Sequence, residues 1–523
     1  MVWIRGRCTR LLGRHRRALA SITSLATCSG CDQVAAGFAP PRPMPMPMPP
    51  DYRPDPRIRA LQEGFFDAVK AATFPEHLLR FRNQRWATRV GLGDLTDDAW
   101  VQHFTRFEPL PGNLEQPLAL RYHGHQFGVY NPALGDGRGF LFAQLRDAGA
   151  SPQDPERDRL LDLGTKGSGR TPWSRGGDGR LTLKGGVREV LATEMLEALG
   201  VYTSKTFSLV ETGESLYRGD EPSPTRSSVL VRLSHSHIRF GSFQRHAHLG
   251  HVDRLGALLD FAVEHYLPGA RERSGPLPLA FLHEVTLRAA ALCASLMTAG
   301  FVHGVLNTDN MNITGECFDY GPYRFLPTLD PTFTAAYFDH EGLYAFGRQP
   351  RTFVWNLARL AEALTPLCPD TALAPALREF QPAFLEAMRQ GFLRRLGVAS
   401  NGADDDAALL DAADAFLQES QIGYDRFFFD WYGGLSSTAR ARQSPEARTY
   451  AGTHATQLQR ALERHAPTHP ERLEAPYFQG SAPCSLLIDE IESIWQGIAE
   501  RDDWSAFHAK VDQIRAFGAL MSG

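Results

Sequence analysis

Lysine is scarce in this chain of 523 residues. Of its 55 basic residues only five are lysines, at positions 70, 166, 184, 205 and 510. Arginine therefore occupies almost every basic position, and the codon bias of a GC-rich genome is the simplest cause. Each remaining lysine is then a candidate for a position that needs a compact ammonium group rather than a planar guanidinium.

Cysteine is scarce as well. The seven cysteines form no pair of C-x-x-C motifs, and the one close pair, Cys28 and Cys31, lies in an unusual N-terminal segment. This spacing argues against a zinc ribbon and against an extracellular disulfide framework, and it favours a reducing compartment. With 43% hydrophobic and 22% charged residues, the chain is neither collagen-like nor disordered and can bury one large core or several smaller ones.

The chain also lacks a long apolar run and a broad positive charge. The longest stretch without charged residues, 289–308, contains serine, threonine, histidine and asparagine, which makes it too polar for a membrane span and typical of a buried helix that leads into a loop. The net charge is −4 overall and +6 over residues 1–50, so the remainder carries −10. Because residues 51–523 are this acidic, we expect no nucleic-acid partner.

Residues 1–50 form an N-terminal extension of distinct composition. An Arg-rich stretch is followed by a short apolar and hydroxyl stretch and by a Pro-Met tract. A mitochondrial transit peptide, a secretory or lipoprotein signal, and a mis-assigned start at a later methionine all fit this order. The expected location is cytoplasmic if the protein is bacterial and mitochondrial if the segment is a transit peptide.

The rest of the chain divides into a mixed half and a helical half. Residues 51–108 show a helical, charged pattern with Trp86 and Trp100 as core anchors, and 109–248 contain short strands and one helix over 187–199. Runs at 127–130 and 139–145 flank a Gly-Asp-Gly-Arg turn and predict a β-hairpin. Residues 249–523 predict a series of amphipathic helices. The strands are expected at 160–163, 206–210 and 228–233, and the helices at 255–266, 279–298, 355–364, 374–396, 407–421 and 486–501.

Two glycine-rich segments could contact an anion. Gly135-Asp136-Gly137-Arg138 lets the backbone approach a phosphate, although Asp-Gly is also the commonest hairpin turn. Residues 163–180 hold many glycines together with arginines and Lys166, which suits an anion better than a core element, the alternative being a solvated loop. Arg232 and Arg239 flank a Ser/His stretch and could both reach one polyphosphate. His235 and His237 have metal-ligand spacing but are better explained as a satisfied loop pair.

The most informative segment runs from residue 301 to 322. Its Asp309-Asn310 pair is followed by Asp319-Tyr320-Gly321, an order similar to that by which protein kinases hold their metals. Compared with the kinase loop H-R-D-x-x-x-x-N, the segment keeps His303 and Asn310 but has Val305 in place of the catalytic aspartate. A conventional protein kinase is therefore disfavoured. The alternative is that both aspartates are turn and cap residues.

At this point the sequence resembles the selenoprotein O family, kinase-like proteins that transfer AMP rather than phosphate. The matching motifs occur in the family's order over about residues 75–360. They are HQFG at 125–128, LGDGR at 134–138, KGSGRTPWSRGGDGR at 166–180, SHIRFG at 236–241, HGVLNTDNM at 303–311 and DYGP at 319–322.

The resemblance implies an α+β, two-lobed protein-kinase-like fold with a mixed α/β N-lobe, a mainly helical C-lobe and a cleft for Mg²⁺-ATP, with Mn²⁺ as an alternative metal. It implies Asp309 as general base, Asn310 and Asp319 as metal ligands, and Lys166, supported by Glu189, as a phosphate ligand. ATP would bind reversed relative to kinases, so that pyrophosphate leaves. The other nucleotide contacts implied are Gly135, Gly137, Arg138, Asp178, Gly179, Arg232, Arg239 and Asp319.

The expected activity is adenylylation of Ser, Thr or Tyr hydroxyls of proteins. Two alternatives stay open, an atypical kinase that transfers phosphate and a nucleotide-binding pseudokinase scaffold. The chain departs from the family's C-terminal pattern, because no cysteine or selenocysteine stands near its end and the nearest cysteine is Cys484. Redox control through that position is not expected to carry over.

Overall fold

The strands of the chain build one large antiparallel sheet and two small ones. The computed structural model describes residue 49 and residues 51–147, 158–219 and 221–522, so the N-terminal extension lies, apart from Pro49, outside the described residues. The strands in this part of the chain are β1 (Phe66–Ala68), β2 (Leu78–Arg82), β3 (Leu118–Leu120), β4 (Gly124–Gln126), β5 (Val129–Asn131), β6 (Leu141–Arg146), β7 (Leu160–Lys166), β8 (Leu181–Thr182), β9 (Lys205–Leu216), β10 (Thr225–Ser234), β11 (Phe301–Val302) and β12 (Arg324–Phe325).

Helices follow and flank these strands. They are α1 (Gln84–Arg89), α2 (Asp97–Phe104), α3 (Leu183–Ala198), α4 (Phe240–His248), α5 (Val252–His265), α6 (Leu277–Thr298), α7 (Gln349–Leu364), α8 (Asp370–Arg378), α9 (Phe380–Leu396), α10 (Ala403–Ser420), α11 (Tyr424–Asp430), α12 (Thr438–Gln443), α13 (Thr453–Leu462), α14 (Pro476–Gln479), α15 (Ile488–Arg501) and α16 (Ser505–Ser522). The chain is thus of mixed α+β class, with the large sheet near its start and a helical C-terminal portion.

The large sheet has the order β1-β3-β6-β7-β10-β9-β2, with β8 paired to β10, and all its pairings are antiparallel. The predicted strands at 160–163, 206–210 and 228–233 are confirmed as β7, β9 and β10. Strand β7 is buried along its whole length because it lies between β6 and β10. Its last residue, Lys166, therefore stands at a rigid position beside the loops that follow.

The predicted hairpin around Gly-Asp-Gly-Arg is wrong. Strand β5 pairs with β4 in a small separate hairpin, whereas β6 pairs with β3 and β7 in the large sheet. Burial explains the difference, since β6 is almost wholly buried and needs partners on both edges, while β5 is half exposed. The Gly-Asp-Gly-Arg segment thus connects two sheets, and the Asp-Gly signal for a tight turn did not apply.

The prediction of helix throughout 51–108 is also wrong in part. Helices α1 and α2 lie there, but β1 and β2 form the two edges of the large sheet. These strands are only three and five residues long, too short to show the alternation by which a strand is recognised. Trp86 and Trp100 are core residues as expected.

Most of the predicted helices are confirmed. The helix expected at 187–199 is α3, and Gly200 follows its C-terminus with a φ of 77°, a left-handed conformation that glycine adopts without strain. The single helix expected over 374–396 is instead two, α8 and α9, which meet at Glu379. Helix α16 at the C-terminal end was not predicted, and it packs against α3.

One helix of the described residues, α6, is long and apolar enough to cross a bilayer by length and composition. Most of it is buried among the other helices. A core helix of this kind passes the same test as a membrane span, so the feature is weak evidence for a membrane location.

Trp100 anchors the core on one face of the large sheet. Its ring is fully buried, stacks on Phe207 with centroids 4.9 Å apart, and donates from Nε1 to Ser208 Oγ at 2.8 Å. We expect Trp100→Ala to lower the free energy of unfolding by about 3–5 kcal/mol, because it removes the packing and leaves a cavity. Urea denaturation followed by circular dichroism measures the change.

Leu385, 57% exposed on α9, provides the control for this substitution. Leu385→Ala should change the free energy of unfolding by no more than roughly 0.5 kcal/mol. Equal effects of the two substitutions would contradict the assignment of Trp100 to the core.

Candidate active site

A cleft of about 730 Å³ opens where the loops of the large sheet meet the segment after α6. Every site residue predicted from the sequence lines it, although the residues come from positions as far apart as 135 and 319. They are Gly135, Gly137, Arg138, Lys166, Asp178, Gly179, Arg232, Arg239, Asp309, Asn310 and Asp319.

Lys166 and Glu189 form a buried ion pair at the back of the cleft. Lys166 ends β7, and Glu189 lies on α3, which packs across β9 and β10. The Lys166 ammonium contacts the Glu189 carboxylate, and its Nζ lies 3.3 Å from Asp319 Oδ1. Both side chains are almost fully buried, so the pair fixes the ammonium at the C-terminal end of β7.

Asp319 is the point at which the cations of the cleft converge. Arg232 NH1 donates to its Oδ1 at 2.6 Å, and Arg239 NH1 donates to its Oδ2 at 3.1 Å. Burial alone would raise the pKa of Asp319, but the charges of Arg232, Lys166 and Arg239 outweigh it and hold this pKa well below its ordinary value. Asp319 is therefore ionised at neutral pH, although its backbone φ of 62° is unusual for a residue other than glycine.

The two arginines come from different elements. Arg232 lies on β10 opposite Gly164 of β7, two positions from the pairing of Leu230 with Lys166, so Arg232 and Lys166 project from one face of the sheet. Arg239 precedes α4 and also donates to the backbone carbonyl of Asp309 at 2.8 Å. Strand register and a helix start thus bring both guanidinium groups to one carboxylate.

Asp309 lies in a short 3₁₀ turn, Thr308–Asn310, beside this cluster. Its Oδ2 accepts a hydrogen bond from Gln126 Nε2 at 3.3 Å, whereas its buried Oδ1 has no hydrogen-bond partner among the described residues. Burial raises the pKa of Asp309 to about 6, with the negative charge of Asp319 adding to the effect. A carboxylate with a free oxygen and a pKa near neutrality is suited to accept a proton.

Oxygen ligands for a divalent cation are present at the same place. The Nδ2 of Asn310 donates to the Val305 carbonyl at 3.0 Å, which leaves the Asn310 amide oxygen for a cation. No group of three or more His, Cys, Asp or Glu side chains within the described ranges is arranged to hold a metal by itself. A hard cation such as Mg²⁺ binds by one or two protein oxygens and completes its shell with phosphate oxygens and water.

The two glycine-rich segments pack against each other at the mouth of the cleft. A Cβ atom on Gly135 would lie 2.4 Å from the ring of Trp173, and one on Gly137 would lie 2.8 Å from the Trp173 carbonyl oxygen. Both glycines are therefore required for the close approach of the segments. Thr171 and Ser174 strengthen the contact by donating to the carbonyls of Asp136 and Gly137.

Of the remaining predicted residues, Asp178 and Arg138 lie nearer to solvent, whereas Gly179 is buried. Asp178 accepts two hydrogen bonds from Arg218, at 2.8 and 3.1 Å, and Gly179 follows with a φ of 71°. Arg138 is exposed, and its side chain forms no ion pair or hydrogen bond within the described residues. Asp178 is thus already engaged by a cation, whereas Arg138 is available to an anion.

The charge of the cleft is opposite to that of the chain around it. Basic side chains outnumber carboxylates by eight to four along its walls, while residues 51–523 carry a net charge of −10. The cleft therefore attracts an anion. The basic residues are Arg138, Lys166, Arg170, Arg175, Arg180, Arg218, Arg232 and Arg239, and the carboxylates are Asp136, Asp178, Asp309 and Asp319.

Sequence reasoning missed several residues of the site. The Asp136 side chain is 11% exposed and accepts hydrogen bonds from Arg239 NH2 at 3.3 Å and from the Leu120 amide at 3.0 Å, so it helps to orient that arginine. Gln126 contacts Asp309, and Trp173 covers Gly135. All three lie inside motifs that the sequence analysis identified. The signal that could have found them is a polar or aromatic side chain that stands among the glycines and other predicted site residues of these motifs.

Comparison with known proteins agrees with this geometry. The family model described as "Protein adenylyltransferase SelO" matches residues 51–515. A protein nucleotidyltransferase YdiU from Synechocystis sp. is 44% identical over 484 residues, which covers 88% of this chain and 98% of that protein.

Two further relatives bear the same name. The protein from Trichodesmium erythraeum is 43% identical, with 88% of this chain and 98% of the relative covered, and the protein from Gloeobacter violaceus is 43% identical, with 88% and 94% covered. The match to the family model and the identity to these relatives both extend over most of the chain. The chain therefore belongs to the SelO family of protein adenylyltransferases.

Proposed function

We propose that the protein transfers AMP from ATP to Ser, Thr or Tyr hydroxyls of other proteins and releases pyrophosphate. The observation that carries this proposal is Asp309, a carboxylate with a free buried oxygen, beside an anion-binding cluster of three cations. The names of the family and of its relatives support the same reaction class. The protein substrates would be recognised elsewhere on the surface.

The proposed fold is that of a two-lobed protein kinase. The Lys166–Glu189 pair between a strand and a helix, together with Asp309, Asn310 and Asp319 on the helical side, supports it. The N-lobe would comprise residues 109–248 and the C-lobe 249–523, with 51–108 packed on this core.

Positioning and charge would supply most of the catalysis. Asp309 would accept the proton of the acceptor hydroxyl. The hydroxyl oxygen would form a bond to the α-phosphorus while the bond from that phosphorus to pyrophosphate breaks. Lys166, Arg232 and Arg239 would stabilise the negative charge on the phosphates without reorganising, because they are already buried and held. The unpaired Arg138 at the cleft mouth fits the outer end of a polyphosphate.

Asn310 and Asp319 fit a Mg²⁺ ion, with Mn²⁺ as an alternative. Both offer the oxygen ligands that such cations prefer, and no sulfur or imidazole ligand competes at these two residues. Held by these two residues, such an ion would supply positive charge that offsets the charge of the phosphates. Asp319 also accepts hydrogen bonds from Arg232 and Arg239.

The residues of the cleft also bear on the two alternative functions, a kinase that transfers phosphate and a pseudokinase scaffold. Val305 lines the cleft at the position where a kinase carries its catalytic aspartate, which disfavours phosphate transfer. A scaffold without activity would not need the ionised Asp319 or an Asp309 with a raised pKa.

The relatives compared are cyanobacterial, which favours the cytoplasmic alternative over the mitochondrial one.

The nature of the transferred group separates these functions. We expect intact-mass spectrometry after incubation with Mg²⁺ and ATP to show that acceptor proteins, or the protein itself, gain AMP. Asp319→Ala should abolish the gain, because it removes a metal ligand and leaves Lys166, Arg232 and Arg239 without their shared counter-ion. Addition of phosphate would overturn the proposed reaction, and AMP addition undiminished in the variant would overturn the site assignment.

Lys166 should not tolerate arginine. We expect Lys166→Arg to lower the rate of AMP transfer by about 100-fold, because the larger guanidinium cannot occupy the buried position between Glu189 and Asp319. Lys184→Arg is the matched control, since Lys184 forms a partly exposed ion pair with Glu492 that arginine can also form. Incorporation of radiolabelled AMP measures both rates. Equal rates for the two variants would mean that Lys166 has no role that arginine cannot fill.

The rate should depend on the ionisation of Asp309. Because its pKa is raised to about 6 and the base must be unprotonated, kcat/KM should rise about tenfold per pH unit below pH 6 and level off above it. Initial rates of AMP transfer between about pH 5 and pH 8 measure the profile. A profile without a transition near this pKa, or an unchanged rate in Asp309→Asn, would exclude Asp309 as the base.

A further inference from the structure

Helix α3 presents two glutamates to two different surroundings. Glu189 pairs with Lys166 in the cleft, and Glu194 lies five residues later on the same helix. Five residues correspond to about 140° around a helix axis and about 7.5 Å along it, so the two side chains leave nearly opposite flanks. Because both residues lie on one helix, the contacts of Glu194 influence the position of Glu189 relative to the cleft.

The closest partner of Glu194 is Arg515 of the C-terminal helix α16. Glu194 Oε1 also accepts a hydrogen bond from Asn83 Nδ2 at 3.3 Å, and its Oε2 lies 3.8 Å from Arg85 NH2. Arg515 donates from Nε and NH2 to the two carboxylate oxygens, each at 2.8 Å. The Glu194 side chain is only 3% exposed, and this hydrogen bonding raises the pKa of Arg515. Arg515 is itself 31% exposed, but a bidentate bond to a buried carboxylate restricts the distance and the angle between the two helices.

Close packing reinforces the ion pair one turn further along α16. A Cβ atom on Gly518 would lie 3.0 Å from Cβ of Ala198, so the glycine allows the two backbones to approach. At the other end of α16, Phe507 packs edge-on against Phe81 of β2 at 6.2 Å between ring centroids. Helix α16 is thus fastened both to the sheet and to α3.

The opposite flank of α3 contacts the segment that carries Asp319. Arg188 NH2 donates to the carbonyl of Tyr323 at 3.0 Å, and Tyr323 OH donates to the carbonyl of Arg188 at 2.7 Å. Helix α3 therefore lies between α16 and the Asp319 segment. A displacement of α3 would change the position of Glu189 relative to Lys166 and Asp319 together.

We propose that α16 is a brace for the nucleotide site and that Arg515 is a positioning residue, which acts through Glu194 and α3 on the Glu189–Lys166 pair. The proposal rests on the proposed function, because it assigns Lys166 to the phosphates. It makes the C-terminal helix, remote in sequence from every residue of the cleft, a determinant of the rate.

A double-mutant cycle tests this role. Arg515→Met should lower kcat for AMP transfer by about 3- to 30-fold in the wild-type background. In a Glu189→Gln background, in which the Lys166 pair is already broken, the same substitution should lower kcat less than about twofold further. Equal factors in the two backgrounds would mean that Arg515 only supports the fold, and no loss in either would overturn the proposal.

Controls separate positioning from unfolding. Lys510→Met removes another ion pair of α16, because the polar partners of Lys510 are Glu490 on α15 and Gln513 of α16 itself. It should leave kcat within about twofold of wild type after correction for the folded fraction. Arg515→Lys should restore part of the rate, and Gly518→Val, which forces α16 away from Ala198, should reproduce the loss with the Glu194 pair present. Retention of full rate by Gly518→Val would contradict the brace.

Hydrogen exchange keeps this test independent of the reaction. Exchange of the peptide covering 183–198, measured by mass spectrometry without ATP, should be faster in Arg515→Met than in Lys510→Met. If the wild type transfers no AMP but this difference is found, the proposed function fails and the brace on α3 stands. If the wild type transfers AMP and the exchange of α3 is unchanged by Arg515→Met, the brace fails alone.

Discussion

The Asp319 carboxylate is the interaction on which the rest of the site depends. Its side chain is only 20% exposed, yet it remains ionised because Lys166, Arg232 and Arg239 surround it. These cations come from β7, β10 and the start of α4, so one carboxylate joins the large sheet to the helical portion. Three buried cations without it would repel one another, and a carboxylate without them would be neutral. A polyphosphate would offer these cations the same negative charge, which supports the proposal that the cluster binds one.

The sequence predicted the members of the cleft better than the fold that assembles them. Asp309, Asn310 and Asp319 stand close together in one segment, and Lys166 stands in a glycine-rich one, so short-range patterns revealed them. The hairpin at Gly-Asp-Gly-Arg was wrong because a local turn signal cannot tell that β6 pairs with β7, which follows a later loop. Helix α16 and its Arg515–Glu194 pair were missed for the same reason, since the two residues lie 321 positions apart. Contacts of this separation leave no local periodicity, although they decide where α3 lies.

Family membership and the geometry of the cleft rest on different observations and support the same proposal. The comparisons identify the class of protein from residues spread over 51–515, whereas the geometry singles out one free oxygen on Asp309 and one shared counter-ion at Asp319. Val305, at the position of a kinase's catalytic aspartate, lies on the cleft wall near Asp309 in the lining of the same cavity. The proposed proton acceptor, Asp309, is therefore displaced along the loop relative to the catalytic aspartate of a kinase, which is consistent with the proposal that the acceptor hydroxyl attacks a different phosphorus.

The scarcity of lysine has a physical side beyond codon bias. Three of the five lysines, Lys166, Lys205 and Lys510, are buried, whereas Lys70 and Lys184 are not. Lys205 bonds the carbonyl of Thr203, and its Nζ lies 5.1 Å from the ring centroid of Trp86, a space in which a planar five-donor group would leave donors unsatisfied. Lys166 meets the same limit between Glu189 and Asp319. In a chain that uses arginine nearly everywhere else, lysine thus remains mostly where a small cation must fit among buried oxygens. Of the three buried lysines, only Lys166 lines the cleft, so it alone combines this steric limit with the proposed role of holding a phosphate.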